Sequence, residues 1–329
     1  MRAMELRAPG QPLAAVDRPT PEPGPGEVLL DVSACAVCRT DLQIAAGDLE
    51  AHGLPRVLGH QVVGRVAAVG AGVDADRVGE QVGLAWVAGT CGHCRFCLSG
   101  RENLCVEARF TGWDVDGGFA THVTARADFA HALPGGFPPV DAAPLLCGGV
   151  IGYRALRVAG VEPGMRVGLF GFGASATIAI QVARHWGCEV YVATRSAAEQ
   201  QRARALGAVW AGGYDERPPQ LLDAAVTFAP VGSVVVAALR TLDRGGVVAV
   251  NAIHLDKIPE FPYEDLWWER QIRSVANVSR DDVHGLLALV PQVPIRTQYE
   301  VLPLAAANQA LDRLAAGDVQ GAFVLDGRA

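Results

Sequence analysis

Arg166-Val-Gly-Leu-Phe-Gly171-Phe-Gly173-Ala-Ser-Ala176 is the stretch on which the reading of the fold turns. A short apolar run ends at two closely spaced glycines and passes directly into a helix-like segment, Ala174 to Trp186. Gly171 and Gly173 permit a tight turn and close approach of backbone to a pyrophosphate, while the helix N-terminus offers oriented N–H groups and a positive dipole. Ala176 replaces the last glycine of the fingerprint, an allowed variant. Such a motif alone is weak, and its alternative is a plain strand–helix turn; its strand-before, helix-after context is what gives it weight.

Outward from this stretch the pattern continues. Glu189 to Thr194 reads as a second strand, Ala197 to Leu206 as a second helix, and Asp223 to Phe228 and Gly246 to Val250 as strands flanking a helix over Val234 to Leu242. Alternation at this period implies a parallel sheet covered on both faces. The fold class is therefore α/β, with a doubly wound, dinucleotide-binding domain over residues 150–283. Residues 1–149 differ: short Val-containing runs such as Glu27 to Val32 and Gln61 to Val69, bounded by Pro and Gly, describe a β-rich barrel-like or sandwich domain. The remaining residues, 284–329, hold one helix-like run at Ala305 to Ala315 and a short strand at Phe323 to Leu325, too little to stand alone, so they are expected to return to the first domain.

The end of the second strand bears on cofactor choice. An acidic residue there would hold the ribose hydroxyls of NAD, whereas an arginine can neutralise the 2′-phosphate of NADP. The strand ends Thr194-Arg195-Ser196 with no carboxylate at its tip, which predicts NADP(H), with NAD(H) as the alternative. Arg195 would be the anion partner, and Thr194 and Ser196 the hydroxyl donors. The competing reading of Arg195 is an exposed loop charge.

A chain of 329 residues, half of them hydrophobic, can bury two sizeable cores. Its net charge of -7 and lack of a dense basic run argue against a nucleic-acid partner. Lys257 is the only lysine, and nothing functional follows from that. Met1-Arg-Ala-Met-Glu-Leu-Arg7 has no apolar core of a secretion signal, so a cytoplasmic location is expected. The uncharged stretch between Arg166 and Arg184 is broken by Gly171 and Gly173 and reads as buried strand and helix, not a membrane span.

Without a secretion signal, eight cysteines point to metal more than to disulfides. Cys91, Cys94, Cys97 and Cys105 follow C-x2-C-x2-C-x7-C, and four thiolates can close a tetrahedron around zinc, leaving no position for substrate. That is a structural site. Cys38, His60 and Cys147 supply two thiolates and an imidazole, which leave one position of a zinc ion open. His93, between two lobe cysteines, is read as an exposed loop residue, and structural roles are assigned to the other histidines.

In these motifs the chain resembles the zinc-dependent alcohol dehydrogenases of the medium-chain dehydrogenase/reductase superfamily, over nearly its whole length. Cys38-Arg-Thr-Asp41 is similar to that family's first ligand segment, and Gly59-His60-Gln61-x2-Gly64-x5-Gly70-x2-Val73 to its zinc signature. The four-cysteine lobe matches as well, and Cys147 falls where the third catalytic ligand is expected. The resemblance implies a GroES-like catalytic domain, a Rossmann domain, two zinc ions per chain, and assembly as a homodimer or homotetramer. It also implies roles: Thr40 as the hydroxyl that carries the alcohol proton away, Asp41 as the carboxylate orienting His60, Arg39 facing the cofactor pyrophosphate, and Trp86 narrowing the substrate pocket. For Trp86 a purely structural place in the core is the even alternative.

Three residues depart from the family pattern. Gln61 stands where glutamate is usual, Gln43 where a proton relay often ends in histidine, and Ala322 where an arginine often meets the pyrophosphate. Gln61 predicts a more electrophilic zinc, and Gln43 cannot titrate. The expected activity is interconversion of small primary or aromatic alcohols with aldehydes or ketones. Two alternatives stand beside it: a zinc-free quinone or enoyl reductase of the same fold, and a non-catalytic redox sensor that holds zinc and dinucleotide.

Overall fold

The computed structural model describes residues 1–293 and 295–328. The chain divides into two compact units, one made of Met1–Cys147, Asn277–Pro291 and Arg296–Ala329, the other of Gly148–Ala276 and Gln292–Ile295. The return to the first unit comes at Asn277, earlier than residue 284, because the Arg280–Leu289 helix is clamped there: Arg280 Nη2 meets Glu102 Oε2 at 2.7 Å.

The first unit is built on a seven-stranded sheet whose longest member, Glu27–Val37, lies at its centre. Gln61–Val69 pairs antiparallel along one edge, with Ala36 opposite Gln61, and Ala322–Asp326 pairs along the other, with Phe323 opposite Val37. The pairing of the final strand explains why the last residues of the chain cannot be separated from the first domain. A smaller sheet centred on Arg2–Leu6 packs nearby, and Leu6, Leu30, Leu58, Val62, Phe119 and Phe323 fill the common core. The central strand Glu27–Val37 is buried along nearly its whole length, so it is covered on both faces.

The second unit carries six strands in the order Trp210–Gly212, Glu189–Ala193, Arg166–Phe170, Leu222–Thr227, Leu242–Val250 and Gln271–Ser274, every pair parallel. This is the doubly wound sheet. The Gly232–Leu239 helix begins before the residue expected from sequence and ends before Leu242, which already pairs with Leu222 as strand. Gly232 admits the close crossing of the chain at Lys257, whose carbonyl oxygen would lie 2.3 Å from an added Cβ. The helix-like run from Ala305 likewise divides into a 3-10 turn, Leu304–Ala306, and an α-helix, Ala307–Ala315.

Candidate metal centre and dinucleotide site

Cys38 caps the Arg39–Ala46 helix: its Sγ accepts the Thr40 N–H at 3.4 Å, and its own N–H donates to Asp41 Oδ2 at 2.9 Å. The thiol is thus fixed at a helix N-terminus, where positive backbone charge favours thiolate. His60 arrives from the start of the Gln61–Val69 strand through Gly59, whose φ of +94° needs glycine. An added Cβ there would lie 2.4 Å from Phe119 Cδ1 and 2.8 Å from Cys35 Sγ. Cys147 follows the 3-10 turn Ala143–Leu146.

These elements bring Cys38, His60 and Cys147 together, with their donor atoms all within 4.8 Å of one another and the two sulfurs 4.0 Å apart. Sulfurs bound tetrahedrally at about 2.3 Å from zinc stand about 3.8 Å apart, so the spacing fits. His60 is buried; its Nδ1–H donates to Asp41 Oδ1 at 3.0 Å, while Nε2 is a buried nitrogen with no hydrogen-bond partner among the described residues. That orphaned nitrogen is what a metal ion would satisfy. Burial works against positive charge on the ring, but Asp41 and Cys38 outweigh it and raise the pKa to about 10. The Cys147 thiol, hydrogen-bonded to Cys38, pulls the Cys38 pKa well below the ordinary thiol range. The cluster is therefore one that attracts a cation.

Asp41 is fully buried and accepts a third bond, from Gly59 N–H at 3.2 Å, so one carboxylate ties both ligand segments together. Thr40, beside it, is buried at 6% exposure. Gln61 is buried too, and its Nε2 donates to Ala36 O at 3.3 Å, a bond that an ionised glutamate could not make. Gln43 is half-buried, and Arg39 is exposed at the first turn of the helix. Trp86 meets the His60 ring edge-on at 4.9 Å and stacks on Phe110 at 4.9 Å and Trp113 at 5.8 Å, forming an aromatic wall.

The four remaining candidate ligands also converge. Cys94 and Cys97, and Cys91 and Cys105, are separated by 3.5 Å between sulfurs, and Cys91 and Cys97 by 3.9 Å. The Cys97 backbone N–H lowers the Cys94 pKa to about 6, whereas burial raises that of Cys105 to about 11. His93 is exposed, its Nδ1 lies 2.9 Å from Cys91 O, and one of its ring nitrogens lies within 4.8 Å of the Cys91 sulfur and a Glu107 oxygen.

In the second unit, the Arg166–Phe170 strand turns at Gly171, with φ of +92°, into the Ala174–His185 helix. No side chain caps that helix, and an added Cβ on Gly173 would meet nothing within 4 Å. The space beside Gly173 is thus open at an uncapped helix N-terminus, the kind of end that suits an anion. Gly173 and Ala174 are exposed, and Ala176 is buried where the helix packs on the sheet.

The second strand ends at Thr194-Arg195-Ser196 with no carboxylate of its own, but Glu199, five residues beyond Thr194 on the next helix, accepts a hydrogen bond from the Thr194 hydroxyl. The Ala197–Ala205 helix folds it back, with Ser196 as N-cap accepting the Glu199 N–H at 3.3 Å. Thr194 is thus engaged as a donor within the protein, while Arg195 is exposed. Arg202 was also not singled out by the sequence; its Nη2 donates to Phe172 O at 2.8 Å and holds the glycine turn. Only the N-cap followed three residues later by glutamate could have signalled Glu199.

Residues 24–135 match the family described as the alcohol dehydrogenase GroES-like domain. A probable alcohol dehydrogenase of Mycobacterium tuberculosis is 47% identical over 336 residues, covering 99% of this chain and 97% of that protein. An alcohol dehydrogenase of Geobacillus stearothermophilus is 32% identical, over 99% of both. Among solved structures, a cinnamyl alcohol dehydrogenase from Sorghum bicolor superposes with a TM-score of 0.90 at 26% identity, over 100% of this chain and 98% of that one. The cobalt- and zinc-bound thermostable alcohol dehydrogenase from Pyrobaculum aerophilum gives 0.89 at 27% identity, over 99% of both. With a full-length relative at that identity and two ligand clusters in place, the chain belongs to the zinc-dependent alcohol dehydrogenases of the medium-chain dehydrogenase/reductase superfamily.

Proposed function

We propose that this enzyme interconverts small primary or aromatic alcohols and the matching aldehydes, holding one zinc at Cys38, His60 and Cys147 and a second at Cys91, Cys94, Cys97 and Cys105, with NADP(H) preferred over NAD(H). The observation that carries the reading is the orphaned His60 Nε2 facing two thiols, with Asp41 bonded behind the ring. A zinc ion held by Cys38, His60 and Cys147 would supply Lewis-acid stabilisation of charge on the substrate oxygen, and a bound nicotinamide would supply the hydride acceptor or donor.

The chain's own residues do the rest. Thr40, two residues past the first ligand, would accept the alcohol proton at its hydroxyl oxygen while giving up its own hydroxyl proton to water. Asp41 keeps the Nδ1 proton of His60 in place, so that Nε2 stays available. Trp86 gives aromatic substrates a flat surface to lie on, which favours benzylic over short alcohols. Neutral Gln61 adds no negative charge behind the ligands. The diphosphate is held at Gly171, Gly173, Ala174 and Ala176, with Arg39 as a further basic contact.

Preference for NADP(H) rests on exposed Arg195, with Ser196 beside it, at the end of the second strand. Glu199 is drawn off by Thr194 and lies 4.0 Å from Arg202. Assembly as a homodimer or homotetramer and a cytoplasmic location complete the reading. No helix among the described residues is long and apolar enough to cross a membrane, and the described cysteines are free thiols.

Initial rates on benzyl alcohol and benzaldehyde, each with NAD(H) and NADP(H), test it with zinc-assayed protein. Turnover is expected to vanish in Cys38→Ser, and Arg195→Ala should raise KM for NADP(H) while leaving that for NAD(H) nearly unchanged. Two bound zinc ions without turnover of any alcohol or aldehyde would refute the catalytic reading.

A further inference from the structure

Trp86 is held by more than stacking. Its Nε1–H donates to Asn277 Oδ1 at 3.2 Å, and Asn277 Nδ2 donates in turn to Asn103 O at 3.1 Å. Asn103 lies in the 3-10 turn Glu102–Leu104, between the lobe ligands Cys97 and Cys105. Its neighbour Glu102 is buried and accepts from the Arg280 backbone N–H at 2.8 Å and from Arg280 Nε at 3.0 Å. Residues 277–280 are therefore pinned to the four-cysteine lobe at both ends.

We propose that Asn277 is a positioning residue that sets the orientation of Trp86 in the substrate pocket and thereby transmits the geometry of the structural lobe to substrate selection. This rests on the alcohol-dehydrogenase reading with Trp86 as pocket wall. Phe110 and Trp113, inclined by 22° and 16° to the Trp86 ring, define its plane. They do not choose between the two ways an indole can lie in that plane, because both faces are apolar. The N–H bond makes that choice, since a half-buried indole nitrogen left without a partner is costly. Asn277 can make it because one amide orientation alone satisfies a donor on one side and an acceptor on the other. Its φ of +53° is a left-handed conformation that asparagine tolerates better than most residues, so the side chain is presented from a fixed turn.

The test compares wild type, Asn277→Ala, Asn277→Asp, Trp86→Phe and the Trp86→Phe/Asn277→Ala double variant on ethanol and benzyl alcohol, at equal zinc content. Asn277→Ala should lower kcat/KM for benzyl alcohol by about tenfold, the effect of one ordinary buried hydrogen bond, and for ethanol by less than about threefold. Asn277→Asp keeps the acceptor for the indole but loses the donor to Asn103 O, and should therefore restore the benzyl alcohol preference only in part. In the Trp86→Phe background, which has no N–H to bond, removal of the amide should change nothing further. Equal losses on both alcohols, or effects that multiply in the double variant, would overturn the proposal. Hydrogen exchange of the Trp86 indole N–H, assigned by its disappearance in Trp86→Phe, decides independently of turnover: faster exchange in Asn277→Ala supports the anchor, and unchanged exchange refutes it. Asn277→Ser, too short for either bond, serves in place of Asn277→Ala should that variant not fold. An inactive wild type with an exchange-sensitive indole would sink the functional reading and leave the anchor standing.

Discussion

Asp41→Asn isolates the carboxylate behind the three-ligand cluster without changing its size. In the wild type, Oδ2 accepts from Cys38 N–H at 2.9 Å, and Oδ1 accepts from Gly59 N–H at 3.2 Å and His60 Nδ1–H at 3.0 Å. All three partners are donors, so an amide must turn its NH2 group toward one of them. If it faces Cys38, the helix cap is lost; if it faces His60 and Gly59, the ring loses its orienting acceptor. Either way the negative charge is gone from a site with no solvent to replace it. Loss of such a carboxylate behind a metal-bound histidine costs about 10–100-fold in affinity, or ~1.4–2.7 kcal/mol. The damaged cap adds about 1 kcal/mol of destabilisation. Chelator titration with a metallochromic indicator provides the assay, and the four-cysteine lobe is the internal control. One zinc should leave at chelator concentrations lower by that factor while the other leaves as in wild type. Release of both ions unchanged, or of both equally loosened, would refute the reasoning.

Gln61→Glu should cost about 1–3 kcal/mol, because an ionised carboxylate cannot donate to Ala36 O from a buried position. The added negative charge should also move the pH optimum of alcohol oxidation upward, and an unmoved pH–rate profile would contradict that role. Gly59→Ala should lower stability by roughly 2–5 kcal/mol, from a positive φ and overlap with Phe119 and Cys35, as measured by denaturant unfolding. Burial works against ionisation of Asp223, but hydrogen bonds from Arg166 prevail and hold its pKa below the usual carboxylate value. The stability this pair contributes is therefore present above the unfolded pKa near 3.8 and is lost as pH falls through the lower folded value. Asp223→Asn should accordingly lower the Tm at pH 7, and the gap to wild type should narrow progressively as the pH is taken below 3.8.

What could be read from the chain alone follows how locally each feature is encoded. The strand, glycine turn and helix around Gly171 lie within a few residues of one another, and so do three of the four lobe cysteines, so spacing carries their meaning. The β-rich first domain was legible from short Val-containing runs. Other features depend on residues distant in sequence. Glu199 returns to Thr194 only once a helix turn has formed, and its carboxylate lay outside the strand end where the sequence was read. Asn277 reaches Trp86 across 191 positions, and no local pattern marks an asparagine as the partner of an indole. The Gly232–Leu239 helix was displaced in the sequence reading because a glycine at its start looks like loop until the neighbouring chain at Lys257 is known.

Cys38 is both the residue that starts a helix and a candidate metal donor. Local folding and metal retention at that point are consequently one equilibrium seen from two sides. A change on the buried face of the same helix, for instance at Ile44, would loosen the cap and increase metal leakage without touching a ligand. Slow inactivation on storage would then be a symptom of fraying, and added zinc would act as a remedy for a packing defect.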